Sequence, residues 1–493
     1  MTRFRRAVSA ALAMALAIAA PAAAQRADIT LGMQLEPPML DPTAGAAAAI
    51  DEVVYANVFE GLTRFAPDGS IRPALARGWT VSEDGLTYTF DLVEGARFHD
   101  GSPFDAADVK FSLDRARAED STNAQKALFS AIETVEVVDR DTVRLRLSRP
   151  DGNLPFNLAW GDAVIVAPES AETNASRPVG TGPFRFKEWR RGDRVILKRN
   201  PDYWGEPVAL ETARFAFISD PTAAFAAVMA GDIDAFPAFP APELLDQLSA
   251  DPRFEVIVGS TEGETILAMN NARPPLDDIR VREAIARAVD RRAVIDGAMF
   301  GYGAPIGTHF APHHPAYLDL THLSAHDPAR ARALLTEAGA EGATLSLKLP
   351  PPSYARRGGE IVAAQLRAVG LEVEIRNLEW AQWLEQVFRG RDYDLTIVSH
   401  TEPLDIGIYG RDDYYFGYRS KAFDALMAQL DRTTERAARF ALYADAQRRI
   451  AEDFVNGYLF QLARTSVADA RIEGLWANAP TQANDLTAVR WRE

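Results

Sequence analysis

Apolar and polar positions along this chain alternate in two distinct rhythms. Thr87-Tyr88-Thr89-Phe90-Asp91-Leu92 and Thr142 to Leu147 put every second side chain on one face, which predicts half-buried strands. Asp28 to Gln34 and Arg194 to Lys198 read the same way. Elsewhere the period lengthens to that of a helix. Arg280 to Asp296 gathers Val281, Ile285, Ala288, Val289 and Ile295 on one face, with charges opposite, and predicts one amphipathic helix. Asp220-Pro221 and Asp327-Pro328 are start signals: a carboxylate that can cap, then a proline whose missing N–H costs nothing in a first turn. Gly231 and Gly339 are the matching stops. Glu360 to Val369 predicts a helix, followed by Gly370 and a strand from Leu371 to Ile375. Asp394 to Ser399 predicts a short buried strand. Strands and helices interleave without repeats or long low-complexity linkers, so the chain is α/β or α+β with no flexible tether between domains.

The N-terminal 24 residues stand outside this rhythm. Arg3, Arg5 and Arg6 precede an apolar run from Val8 to Ala20, and Ala22-Ala23-Ala24 supplies small residues for a peptidase. The run is short for a bilayer span and Pro21 interrupts it, so residues 1–24 read as a cleaved signal peptide. Arg5-Arg6 lacks a twin-arginine pattern, which points to export in the unfolded state. The chain has 493 residues, enough for two or three domains. Its 47% apolar and 25% charged content excludes wholesale disorder. With 53 Lys and Arg against 69 Asp and Glu, the net charge of −16 argues against nucleic acid and anionic lipid as partners. The absence of cysteine removes disulfides, thiolate nucleophiles, zinc–thiolate sites and a lipidated N-terminal Cys together. An exported, acidic chain without a lipid anchor is expected in a bacterial periplasm.

Enzyme signatures are missing. There is no G-x-S-x-G elbow, P-loop, H-E-x-x-H or paired C-x-x-C. The glycines of GYGAPIG at 301–307 are mis-spaced for a dinucleotide site and read as turn geometry. Five of seven histidines fall at 309, 313, 314, 322 and 326, but Pro312 breaks any shared helix face, so an ordinary polar loop is the preferred reading over metal binding. Trp380 and Trp383 follow a strand at helix-like spacing, and Tyr409, Tyr414, Tyr415 and Phe416 crowd a segment rich in Gly and Asp. Such rings fill cores, and in a cleft they give large contact area at small entropic cost.

Four stretches carry a family resemblance. They are Leu40-Asp41-Pro42 with VYANVFEGLTRF and its continuation through Ala116; VGTGPFRFKEW through Gly205; LAMNNARPPLDD through Arg291; and AAQLRAVGLEVEIRNLEWAQWLEQV. In this order they resemble the solute-binding proteins of ABC importers, specifically the large dipeptide- and oligopeptide-binding type, family 5. The resemblance implies an α/β, two-lobed periplasmic binding protein of type II. Lobe one would comprise 25–268 plus 468–493, with an inserted subdomain about 55–180, and lobe two 269–467. The crossings would lie near Leu267 to Asn270 and Leu459 to Val467. The lobes would close on a solute that contacts both only when shut. The implied partners are a peptide or small-molecule ligand and the membrane permease subunits, for a monomer that neither inserts in the membrane nor needs a cofactor or metal.

The resemblance also implies contacts. A loop after Leu-Asp-Pro touches the ligand, here Thr43, Gly45 and Ala46 with their neighbours. An acid after a lobe-two strand grips the ligand's amino group, here Asp405 with Glu402 as second choice, and His400 stands where the family often carries Trp. A buried ammonium requires such a partner. Trp380, Met269, Asn270 and Tyr409 are further pocket candidates. The arginine with which dipeptide binders hold a carboxylate has no counterpart: its position falls at Leu349, which argues against a strict dipeptide mode. Longer peptides, nickel chelates, opines and sugar conjugates are alternatives on the same fold. An exported peptide hydrolase with a carboxylate site is the alternative of another class.

Overall fold

The computed structural model describes residues 26–45, 47–401 and 404–492. The expected leader at 1–24 lies outside them. Among the described residues the largest sheet has eleven strands. Its order is Glu372–Asn377, Thr344–Leu349, Leu395–His400, Phe254–Met269, Asn456–Asp469, Ala235–Phe236, Asp28–Met33, Thr212–Phe217, Arg194–Arg199, Phe184–Arg190, with Ala304–Pro305 off the path on Asn456–Asp469. Nine of these strands are two to seven residues long; the two long ones, Phe254–Met269 and Asn456–Asp469, decide the architecture. Phe254–Met269 and Asn456–Asp469 run antiparallel from the pair Phe254 and Asp469 to the pair Ala268 and Asn456. Their ladder is interrupted between Ser260 and Glu264.

The two strands change company at that interruption. On one side, Val467 and Ala468 pair with Ala235–Phe236, which leads on to Asp28–Met33. On the other, Glu264 to Met269 pairs with Leu395–His400. Each half has its own core. Ile29, Leu31, Val195, Leu197, Ala213 and Phe215 pack in one, and Leu267, Met269, Leu345, Leu347, Leu395 and Ile397 in the other. Gly263 sits at the junction without a side chain because a Cβ there would lie 2.8 Å from Ser399 Oγ and 2.9 Å from Leu462 Cβ.

Local signals explain most elements. Pro221–Ala230 begins with Asp220 accepting from Ala223 N and ends at Gly231, whose φ of 79° suits a residue without a Cβ. Pro328–Ala338 repeats the device between Asp327 and Gly339. The single helix expected from Arg280 to Asp296 is instead two, Ile279–Ala288 and Arg291–Met299. Asp290 breaks it: its carboxylate accepts from Arg292 N and Ala293 N, and this local cap competes with helix continuation. Val281, Ile285, Val294 and Ile295 still bury in one core, so the apolar face survives the break.

A separate four-stranded antiparallel sheet, ordered Ala76–Val81, Thr87–Leu92, Thr142–Leu147, Ile132–Asp139, packs against the helix Ala106–Arg117. It carries the 149–160 segment to the opposite half. There Tyr443 Oη donates to Asn153 Oδ1 at 3.1 Å, and Arg439 also reaches Asn153. Gly152 permits this approach, since a Cβ would fall 2.3 Å from both Arg439 Nη1 and Thr433 O.

Candidate functional site

A cleft of ≈ 720 Å³ opens between the two halves. One wall comes from the 125–160 segment and includes Gln125, Arg149, Asp151, Phe156 and Trp160. The facing wall includes Trp383, Phe388, His400, Asp405, Arg411 and Tyr414. A smaller recess of ≈ 140 Å³ shares Gln125, Trp160 and Thr401 with it.

The 383–414 wall is built by aromatic packing and closed hydrogen bonds. Trp383 Nε1 donates to Thr396 Oγ1 at 2.9 Å, which fixes the indole on the strand beneath it. Phe388 lies 6.3 Å from Trp383 and meets Tyr414 edge-on at 5.8 Å. His400 stacks on Tyr415, with Tyr415 Oη donating to His400 Nε2 at 2.9 Å. Burial pushes the His400 imidazole down to about 4, so it is uncharged at neutral pH.

Asp405 is held from behind. His309 Nε2 donates to Asp405 Oδ1 at 2.5 Å, and His309 itself is fully buried. Tyr409 Oη donates to His309 Nδ1 at 3.2 Å and accepts from Asn456 Nδ2 at 3.1 Å. This relay fixes the carboxylate's orientation from strand to cleft. The Asp405 side chain keeps 17% of its surface, and its Oδ2 lies 3.9 Å from His400 Nδ1. Leu404, just before it, has a φ of 57°, a left-handed conformation uncommon for leucine.

The candidates from sequence separate into three groups. Asp405 and His400 line the cleft, and Gly45 lines the smaller recess. Tyr409 stands behind the wall as part of the relay. Met269, Asn270 and Thr43 lie elsewhere, and these placements are corrections. Met269 is fully buried in a core. Asn270 spends its amide on Arg391 O and Tyr393 O. Thr43 Oγ1 donates to Asp41 and accepts from Arg115 Nη1 at 2.6 Å, on a different cavity. Glu402, Ala46 and the Trp380 side chain lie outside the described residues. Leu349 is fully buried, so no charge stands at the expected carboxylate position.

Two arginines were missed. Arg149 and Arg411 line the cleft from facing walls. Arg411 lies 5.1 Å from the Tyr414 ring, and Arg149 Nη2 donates to Ser130 Oγ at 3.2 Å. Neither sits in a motif; only the folded chain sets them across from each other. The histidines of the 309–326 stretch disperse. His313 Nε2 pairs with Glu262 Oε1 at 2.7 Å, while His314 Nδ1 accepts from Ala316 N. Burial raises the Glu262 carboxyl above the usual carboxylate range.

A cleft between two α/β halves, bridged by two strands common to both and lined from each side, defines a two-lobed solute-binding protein. Residues 70–416 match the middle region of the bacterial extracellular solute-binding proteins, family 5, and the chain belongs to that family. The family is one of extracellular solute-binding proteins. It is 31% identical over 386 residues to glutathione-binding protein GsiB of Salmonella paratyphi A, covering 77% of this chain and 75% of that protein. It is 32% identical over 486 residues to di/tripeptide-binding protein 4 of Pseudomonas aeruginosa, covering 88% and 90%. The structure of HbpA2 from Haemophilus parasuis matches with a TM-score of 0.85 at 24% identity, over 94% of this chain and 100% of that one. Family and relatives are binding proteins. No helix among the described residues is long and apolar enough to cross a membrane.

Proposed function

We propose that this protein captures a small peptide, or a solute with the same amino and carboxylate chemistry, in the periplasm and delivers it unaltered to the permease of an ABC importer. The observation that carries this reading is the pairing of charges across one cleft: Asp405 on one wall, with Arg411 beside it and Arg149 opposite. An ammonium placed against Asp405 replaces water with a fixed carboxylate, and a carboxylate reaching either arginine gains charge-assisted hydrogen bonds. Trp383, Phe388, Tyr414 and Phe156 supply apolar area for side chains. The names of the relatives, which bind glutathione and di- or tripeptides, support the same class. The buried Leu349 favours carboxylate partners other than the one dipeptide binders use.

The lobes divide, in this reading, near Gly263 and Leu462 and not at 268 and 467. Leu267 and Met269 pack in the core that also holds Leu395, whereas Ala468 packs with Ile29 and Leu31. Calorimetry with glutathione, dipeptides and tripeptides tests the function, together with native mass spectrometry of the freshly purified protein for a retained solute. Saturable binding with the peptide recovered intact supports it. No binding by any peptide removes the peptide class, and recovery of cleavage products replaces capture with hydrolysis.

A further inference from the structure

The ≈ 140 Å³ recess beside the main cleft has chemistry that the reading above does not use. Its walls are Gly45, Ala48, Asp51, Ala124, Gln125, Trp160, Gly161, Asp162, Thr481 and Gln482, with Thr401 reaching it from the other lobe. Two carboxylates therefore face one small space, and no Lys or Arg lines it among the described residues.

Their oxygens are sheltered without being satisfied. Asp162 retains only 7% of its surface, and its Oδ1 is buried with no hydrogen-bond partner. Asp51 Oδ1 is likewise buried and unpartnered. The third such atom is a donor, Trp160 Nε1. Buried polar groups are nearly always bonded, and an unmade bond costs about 1–3 kcal/mol, so three in one recess mark capacity held for something else. Gly161 brings the acids together: a Cβ there would fall 2.0 Å from Asp51 Oδ1, so only glycine lets that carboxylate lie against the backbone next to Asp162.

We propose that this recess is a cation subsite, taking the ammonium or guanidinium group of a basic side chain on the captured solute. The inference rests on the reading of the cleft as a peptide site for its choice of solute, and it deepens that reading to basic peptides. A cation bridging both groups favours their ionised forms, which burial alone disfavours, and fills the bonding capacity of both oxygens. Trp160, on the boundary shared with the main cleft, brings a third unspent group, its Nε1, to the same place. The acids' environment agrees with this role. Burial pushes the Asp162 carboxyl up to about 7, and burial together with the nearby Asp162 and Glu52 holds Asp51 well above the usual range. No cation offsets either one.

Calorimetry against three alanine tripeptides carrying one lysine, at the first, second or third position, and against their norleucine counterparts, reads the subsite directly. In the unaltered protein at least one lysine peptide binds about tenfold more tightly than its norleucine twin. In Asp51→Asn and Asp162→Asn that preference shrinks to less than about twofold, while the norleucine peptides keep their affinity within about threefold. Thermal melting checks that both variants fold, as expected for substitutions that remove a buried ionisable group and keep its volume. Equal binding within all three pairs overturns the subsite, and so does a lysine preference that survives in both variants. Should no tripeptide bind, the peptide reading fails, and the subsite is judged separately with agmatine. A melting shift with agmatine that disappears in Asp162→Asn supports it, and the absence of any shift overturns it.

Discussion

The two walls of the cleft spend their polar groups in opposite ways. On the 383–414 wall, apart from the unpartnered Ser399 Oγ, the polar groups named above are engaged behind the surface: Asp405 by His309, His309 by Tyr409, Tyr409 by Asn456, Trp383 by Thr396 and His400 by Tyr415. The facing side carries Trp160, and in the smaller recess beside it Asp51 and Asp162, with atoms that bond to nothing in the protein. A wall whose groups are locked by their neighbours offers a fixed template and loses little freedom when a solute arrives. A wall with unspent bonding capacity is less stable alone and gains more from occupancy. In the proposed reading, the template supplies orientation, and the opposite wall gains most from occupancy.

Breaking the relay should produce the largest effect. His309→Ala removes the buried partner of Asp405 and Tyr409 and is expected to cost about 2–3 kcal/mol of stability, read by chemical denaturation. A loss below about 0.5 kcal/mol would mean the relay positions nothing. Asp405→Asn acts next, on affinity: an amine-bearing peptide should bind about tenfold or more weakly, about 1.4 kcal/mol, and unchanged calorimetric affinity would remove the ammonium role.

On the other wall the effect reverses sign and depends on pH. Burial holds the folded Asp162 carboxyl at about 7 against an ordinary value of 3.8. The folded state therefore keeps a proton that the unfolded chain has already lost, and stability falls as pH rises through that window. Asp162→Asn cannot ionise, so its stability relative to the unaltered protein should rise between pH 4 and pH 8, read by chemical denaturation at both pH values. A uniform loss at both pH values would contradict the unsatisfied-carboxylate account. The smallest effect belongs to Arg411→Ala, whose side chain is half-exposed: about threefold weaker binding of free peptides, with no change for carboxamide-blocked ones.

Sequence legibility follows the range of the interactions. Caps, glycine stops and period-two strands act over a few residues, and the structure holds them where the pattern puts them, at Pro221–Ala230, Pro328–Ala338, Thr87–Leu92 and Thr142–Leu147. The split at Asp290 was missed because apolar periodicity runs through it unbroken, while a single carboxylate decides the backbone. In the cleft, Asp405 and His400 were visible as residues following a strand. Thr43 and Asn270 were polar residues in promising places, but Asp41, Arg115 and two carbonyls claim them. Arg149 against Arg411, and Asp51 against Asp162, are juxtapositions of segments far apart in the chain. Nothing local announces them.

The interrupted ladder between Ser260 and Glu264 has a mechanical consequence. Strands bonded on both sides of a gap resist sliding past each other, while across the gap itself side chains replace the backbone ladder: Thr261 Oγ1 donates to Leu462 O and Gln461 Nε2 to Thr261 O. Such a joint flexes like a leaf spring, about one line, and a small tilt there sweeps the far edge of each half through a much larger arc. In the proposed import role, a membrane permease would then read loading from the angle between two outer surfaces, without touching the cargo.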